Sequence, residues 1–98
     1  MAADIDDEFY NRADAVIYLA NEQVEKFSPG KVSASCMYAT ARFNAWVTAC
    51  GCSSSLEMRA ERKEAIEYFT KQDRAMLEEN LDDYINKFAG YMQPEGPD

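Results

Sequence analysis

The side chains that could do chemistry in this sequence are few, and most of the usual catalytic sets are missing. The 98 residues include no His, so the commonest general base and the commonest metal ligand are absent. The cysteines form no CxxC pair, and on one helix Cys36 and Cys50 would stand about 20 Å apart, too far to share a metal or a disulfide. We expect all three to be small apolar side chains, with a redox role for Cys50 and Cys52 as the alternative.

Arg42 is the charged residue of greatest interest, because it interrupts a mainly apolar segment. A charge inside a protein is very costly unless it is paired. We therefore predict that Arg42 forms an ion pair with Asp14, Asp73 or both. The alternative is a small domain that binds an anionic ligand, or an enzyme, with a polar pocket formed by Arg42, Tyr38 and Asn44.

Four carboxylates near the C-terminus occupy i,i+4 positions on adjacent faces of a predicted helix: Glu78, Glu79, Asp82 and Asp83. Oxygen ligands of this kind suit Mg²⁺ or Ca²⁺, but carboxylate-bridged iron sites in helical bundles usually add a His, which this chain lacks. We interpret the four as a solvated acidic surface. A docking surface for a basic partner and a metal site are the alternatives. The predicted site thus includes no catalytic residue, metal or cofactor.

The overall charge restricts the partners that the protein can have. A net charge of −8 opposes binding to nucleic acid and to anionic membranes. The longest uncharged stretch, residues 32–41, is too short to cross a bilayer. The acidic N-terminus lacks the basic and apolar regions of a signal peptide. These features predict a cytoplasmic protein that binds neither nucleic acid nor membrane.

Apolar residues recur every three or four positions through most of the chain, which predicts an all-α protein. Residues 1–6 are an acidic lead in which Asp4, Asp6 or Asp7 caps the first helix. Ser28-Pro29-Gly30 and Gly51 to Ser54 are turn sequences, and Gly51 suits a left-handed position at a helix end. The predicted domain covers residues 7–90, with helices over 7–27, 31–50 and 55–90 and a disordered tail over 91–98.

The three predicted helices form a three-helix bundle with a long third helix. The second helix is apolar nearly all round, which places it in the middle of the core. The third begins at a serine cap, where Ser54 and Glu57 have the spacing of a capping box. At about 1.5 Å per residue it is roughly 50 Å long, longer than its neighbours. Its extra length and the second helix's outer face favour a homodimer. A bend of the third helix near residues 55–64, which leaves a plain three-helix monomer, is the alternative.

Several segments together resemble a small proteobacterial family that is catalogued as the domain of unknown function numbered 3144. The resemblance spans most of residues 8–88 and rests on Ala13–Ile17, Leu19–Glu22, Gly30–Ser35, Ala41–Ala45 and Glu78–Tyr84. It implies a bacterial source and no activity that can be transferred.

The function that we predict is therefore structural: a small acidic, cytoplasmic helical module that associates with itself or with another protein. An enzyme is the less favoured class. A third possibility is an acidic decoy that occupies the basic surface of a partner, which requires the four carboxylates to form one exposed strip.

Overall fold

A computed structural model describes residues 5–93, and all regular secondary structure within them is helical. Helix α1 spans Phe9–Val24, α2 spans Pro29–Cys50, α3 spans Ser55–Asn86 and α4 spans Phe88–Met92. The all-α prediction is confirmed. Part of the predicted acidic lead, residues 1–4 with Asp4, and part of the predicted tail, residues 94–98, lie outside the described residues.

The N-cap residue of α1 is Glu8, which makes no side-chain cap hydrogen bond, so the cap predicted at Asp6 or Asp7 is wrong. Asp6 stabilises the turn before the helix instead. Its Oδ1 accepts the Glu8 backbone N–H at 3.0 Å and the Arg12 guanidinium at 3.1 Å. The hydrogen bond from Arg12 lowers the pKa of the Asp6 carboxyl below its ordinary value. The helix ends at Val24 rather than near Phe27, because the chain then tightens into a turn in which the Lys26 and Phe27 N–H groups both donate to Gln23.

Helix α2 begins two residues before its predicted start, at Pro29. Proline fits the first position of a helix, since its N–H has no intrahelical partner there and its φ is already helical. The backbone carbonyl of Ser28 accepts the Val32 N–H at 3.1 Å, which closes the first turn. The Ser-Pro-Gly sequence thus ends one helix segment and opens the next.

The second turn differs from its prediction at Gly51. No residue of the described chain, glycine or otherwise, has a positive φ, so the left-handed position expected at Gly51 is wrong. Helix α2 ends instead through i→i+3 bonds, from Gly51 N–H to Thr48 and from Cys52 N–H to Ala49. A tightened last turn of this kind satisfies the terminal carbonyls without a left-handed residue.

The serine cap of α3 is confirmed. Ser54 has an extended backbone and its Oγ accepts the Glu57 N–H at 3.1 Å. The Glu57 carboxylate reaches back to the N–H of Ser53, one residue earlier than a standard capping box requires. The Ser54 cap satisfies one N–H group of the first helical turn, and the Glu57 contact satisfies an N–H group just before the helix.

The C-terminal end of the long helix also departs from the prediction. Lys87 leaves the helical conformation (φ −124°, ψ 32°), so α3 ends at Asn86 and a separate short helix α4 follows. Tyr91 and Met92, expected in a disordered tail, belong to α4.

Burial is very low throughout the described residues. Val32 alone is buried, at 7% exposure, and no large side chain is fully covered. Phe43, Trp46 and Val47 lie on the second helix, which was expected in the middle of the core, and are exposed. The chain divides into two compact units, residues 1–47 and 48–98, and the single three-helix bundle over residues 7–90 remains a prediction.

Candidate functional site

Exposed apolar side chains occur on every helix and form the main candidate for a functional surface. Twenty-three large hydrophobic residues of the described chain are exposed, against one that is buried. Single exposed hydrophobic residues are normal on protein surfaces, whereas contiguous exposed patches mark interaction surfaces. The helices that carry them are well formed, so the exposure does not result from missing secondary structure.

Helix α3 shows how this surface is built. Ile66, Leu77, Leu81 and Tyr84 are exposed and recur within 60° of one another around the helix at about 100° per residue. We call these four residues the α3 stripe. A second row, Met58, Ala65 and Gln72, repeats every seven residues about 120° away, and these side chains are half-buried. The helix therefore has one face that the chain partly covers and one that it leaves open.

The charges of α3 are distributed unevenly along its length. Residues 55–74 carry five basic and five acidic side chains, whereas residues 75–86 carry four acidic and no basic ones. Arg74 Nε lies 3.1 Å from Glu78 Oε2, an exposed i,i+4 pair. Exposed pairs of this kind add a few tenths of a kcal/mol. The helix is thus neutral over its first twenty residues and strongly acidic over its last twelve.

Two of the four predicted surface carboxylates are engaged within the chain. Glu78 pairs with Arg74, and Asp83 is half-buried and pairs with Lys87 at 3.3 Å. Glu79 and Asp82 are exposed. Among the described residues, no three Cys, Asp or Glu side chains are grouped so as to hold a metal ion. A contiguous acidic strip, which the decoy hypothesis requires, is therefore interrupted by two basic partners.

Asp83 is the centre of a small polar cluster at the end of α3. The Tyr91 hydroxyl donates to Asp83 Oδ2 at 2.7 Å, and the rings of Tyr84 and Tyr91 lie 4.5 Å apart. The hydrogen bonds from Tyr91 and Lys87 lower the pKa of Asp83. For the same reason the pKa values of Tyr91 and Lys87 are raised. These contacts hold α4 against α3.

The residues predicted around Arg42 are placed on α2. Arg42 and Tyr38 are exposed, whereas Asn44 is half-buried. Within residues 5–47 the ion pair is between Arg12 and Asp6, and Asp14 is not paired with Arg42. The pairing with Asp73 and the binding of an anionic ligand stay predictions. An exposed Arg42 has water around it and does not require a partner for its charge.

A shallow hollow lies in the second unit, between the end of α2 and the first half of α3. Thr48, Cys52, Glu61, Glu64, Tyr68 and Phe69 are among its lining residues. The Cys52 thiol donates to the Thr48 carbonyl at 3.4 Å. Its pKa is raised by burial and by the nearby carboxylates of Glu57 and Glu61. A thiol that resists ionisation is a poor nucleophile, which weakens a redox role for the Cys50–Cys52 segment.

Comparison with known proteins identifies the relatives of the chain. Residues 9–85 match a protein family of unknown function, DUF3144. The chain belongs to the DUF3144 family. The resemblance read from the sequence is therefore confirmed.

A solved structure supports the same relationship. The NMR structure of the protein NB7890A from Shewanella sp. is similar to this chain, with 35% sequence identity and a TM-score of 0.75. The match covers 93% of this DUF3144 chain and 97% of the Shewanella protein. Among proteins with curated descriptions, none matches. The relatives establish the fold and leave the activity open.

Two features of this DUF3144 chain were missed in the sequence. The contact between Asp83 and Tyr91 joins residues eight positions apart across a helix break, and no local motif signals it. The exposure of the α3 stripe was also missed, since a periodic apolar row predicts burial but does not say which chain buries it. Among residues 5–93, no helix combines the length and apolar character needed to cross a bilayer.

Proposed function

We propose that this protein is a self-associating structural or interaction module, a homodimer of the bacterial cytoplasm in which the exposed apolar surface is covered by a second copy. The observation that carries the proposal is the low burial of residues 5–93: one hydrophobic side chain among them is buried, whereas twenty-three large hydrophobic residues are exposed. Ordering a backbone costs about 1–2 kcal/mol per residue, which folding offsets mainly by apolar burial. A second copy supplies the surface for that burial.

The proposal also includes the arrangement of the helices in a bundle. In the assembly, α1, α2 and α3 of each copy supply the helices of a three-helix bundle, and the partner covers the faces that one chain leaves open. Met37, Phe43 and Trp46 on α2 and the α3 stripe are among the exposed residues that the partner covers. Fully burying a side chain of this kind contributes about 1.5–3 kcal/mol.

Light scattering of the purified protein after size exclusion tests the proposal. We expect a molar mass twice the 11.1 kDa of one chain. Circular dichroism on the same fractions should show a helical protein, because the module is folded when it is associated. A helical particle of 11.1 kDa at high concentration would exclude self-association, since the apolar surface would then be tolerated by a folded monomer.

A further inference from the structure

We propose that α4 is a strap over the C-terminal end of the α3 stripe, fastened by the single carboxylate of Asp83, and that it competes with the partner copy for Tyr84. The competition rests on the proposed self-association and adds a control on it. The contacts involved all lie within residues 83–92 of the second unit, whatever the geometry of the dimer. They are a ring contact, a hinge and a fastening.

The ring of Tyr91 occupies part of the surface of Tyr84 that a partner would use. The two ring centroids lie 4.5 Å apart and the ring planes are tilted by 33°, which is a direct aromatic contact. A partner side chain that packs against the covered side of Tyr84 has to displace Tyr91. The rest of the Tyr84 side chain is exposed, so the closed strap weakens binding at this end of the stripe without abolishing it.

Lys87 is the hinge of the strap. Its backbone leaves the helical conformation (φ −124°, ψ 32°) between the end of α3 and the start of α4. Its N–H closes α3 on the Asp83 carbonyl at 3.0 Å, and its own carbonyl accepts the Tyr91 N–H at 3.1 Å. With five residues, one of them Gly90, α4 is too short to be a stable helix by itself. Its helical structure therefore depends on its contacts with α3, and release of those contacts unfolds it.

One carboxylate makes both polar contacts that fasten the strap. Asp83 Oδ2 accepts the Tyr91 hydroxyl at 2.7 Å, and Asp83 Oδ1 lies 3.3 Å from the Nζ atom of the hinge residue Lys87. No residue of α4 is buried, so apolar packing adds little to closure. The net contribution of one hydrogen bond corresponds to about a 5-fold change in an equilibrium constant. Closure is therefore weak enough for a partner to reverse, and Asp83 is the point at which the strap is released.

Two matched substitutions, Asp83→Asn and Asp82→Asn, test the strap in the full chain. Both remove one negative charge from the end of α3, and Asp82 is exposed beside Asp83. Only Asp83→Asn removes the ion pair with Lys87 and weakens the hydrogen bond from Tyr91. We expect hydrogen exchange of residues 88–92 to accelerate in Asp83→Asn alone.

The same pair of variants tests the competition with the partner. The dissociation constant of the dimer, measured by sedimentation equilibrium, should be about 5-fold lower for Asp83→Asn than for Asp82→Asn, because the open form that binds best is more populated. Tyr91→Phe, which loses only the hydroxyl group, should change the dissociation constant in the same direction. Circular dichroism establishes that each variant is folded.

The outcomes separate the strap from self-association. Faster exchange in Asp83→Asn with an unchanged or higher dissociation constant would overturn the competition, because α4 would then be independent of the interface or part of it. Unchanged exchange in Asp83→Asn, or equal changes in both variants, would overturn the fastening by Asp83. Folded monomers of the unsubstituted chain at high concentration would overturn the proposed function and the competition with it, while exchange of residues 88–92 would still decide whether Asp83 fastens α4.

Discussion

Two faces of helix α3 differ in how far the chain itself covers them. The row Met58, Ala65 and Gln72 is half-buried by the chain itself, whereas Leu77 in the α3 stripe is 56% exposed. The residues of the stripe are the larger and more apolar ones. Tyr68 and Phe69 of the same helix are also half-buried. The four apolar side chains of the stripe are therefore a part of α3 that is left open as a candidate interface.

The largest expected effect comes from placing a charge in the stripe. Leu77→Asp should raise the dissociation constant of the dimer by about 100-fold or more, because each of the two symmetric copies loses roughly 1.5–3 kcal/mol of apolar burial. Sedimentation equilibrium measures the change. Ala75→Asp is the matched control: it places the same charge on the opposite side of α3, at an exposed position, and should leave the dissociation constant nearly unchanged. Equal weakening by both variants would contradict the assignment of the stripe.

A smaller effect is expected from a substitution of the serine that caps the N-terminus of α3. Ser54→Ala removes the hydrogen bond to the Glu57 N–H and should lower the free energy of unfolding by about 1 kcal/mol. The melting temperature should fall by about 4–8 °C if the transition is that of a domain of this size. Ser55→Ala is the control, because Ser55 is inside the first turn and does not cap it. A loss in both variants would point to a general effect of serine removal.

A substitution in the turn between α2 and α3 should increase the stability of the protein. Gly51 has no left-handed conformation, and a Cβ there would meet the Thr48 carbonyl oxygen at 3.7 Å, an ordinary contact. Gly51→Ala should therefore stabilise the protein by about 0.4–1 kcal/mol, since alanine restricts the unfolded chain. Chemical unfolding measures it. A destabilised variant would show that Gly51 needs backbone freedom after all, as its sequence context first suggested.

The smallest expected effect is local and depends on pH. The pKa of Asp83 is lowered in the folded chain, so its contribution is present above the ordinary carboxyl pKa and is lost as the pH falls through the lowered value. The pKa values of Tyr91 and Lys87 are raised, so their contributions are present below the ordinary values and are lost as the pH rises through the raised ones. The α4 contact should therefore be strongest between about pH 4 and pH 10.

Hydrogen exchange of residues 88–92 across that range checks this expectation. Protection should decrease at both ends of the range, and Tyr91→Phe should reduce it at neutral pH without changing the melting temperature of the whole protein. Protection of these residues that does not depend on pH would mean that α4 is held by its ring contact with Tyr84 instead.

The sequence predicted those parts of the fold that depend on local chemistry. Ser54 with Glu57 three residues later specified the start of α3, and Ser28-Pro29 specified the break before α2, because caps and proline act over one turn. The end of α3 was not predicted, since the break at Lys87 is accompanied by a contact between Asp83 and Tyr91 that no local pattern shows. The sequence also showed which residues of α3 are apolar. It did not show which of its two faces the chain itself covers, because that depends on packing between helices.

The central claim is that the apolar surface is covered only in the assembly, and the concentration dependence of thermal unfolding tests it most directly. When folding and association are coupled, dilution favours the unfolded chain. The melting temperature is measured by circular dichroism at 222 nm. We expect it to rise steadily as the protein concentration is raised about 100-fold. A melting temperature that stays constant over that range would contradict it, because the helices would then be stable in a single chain.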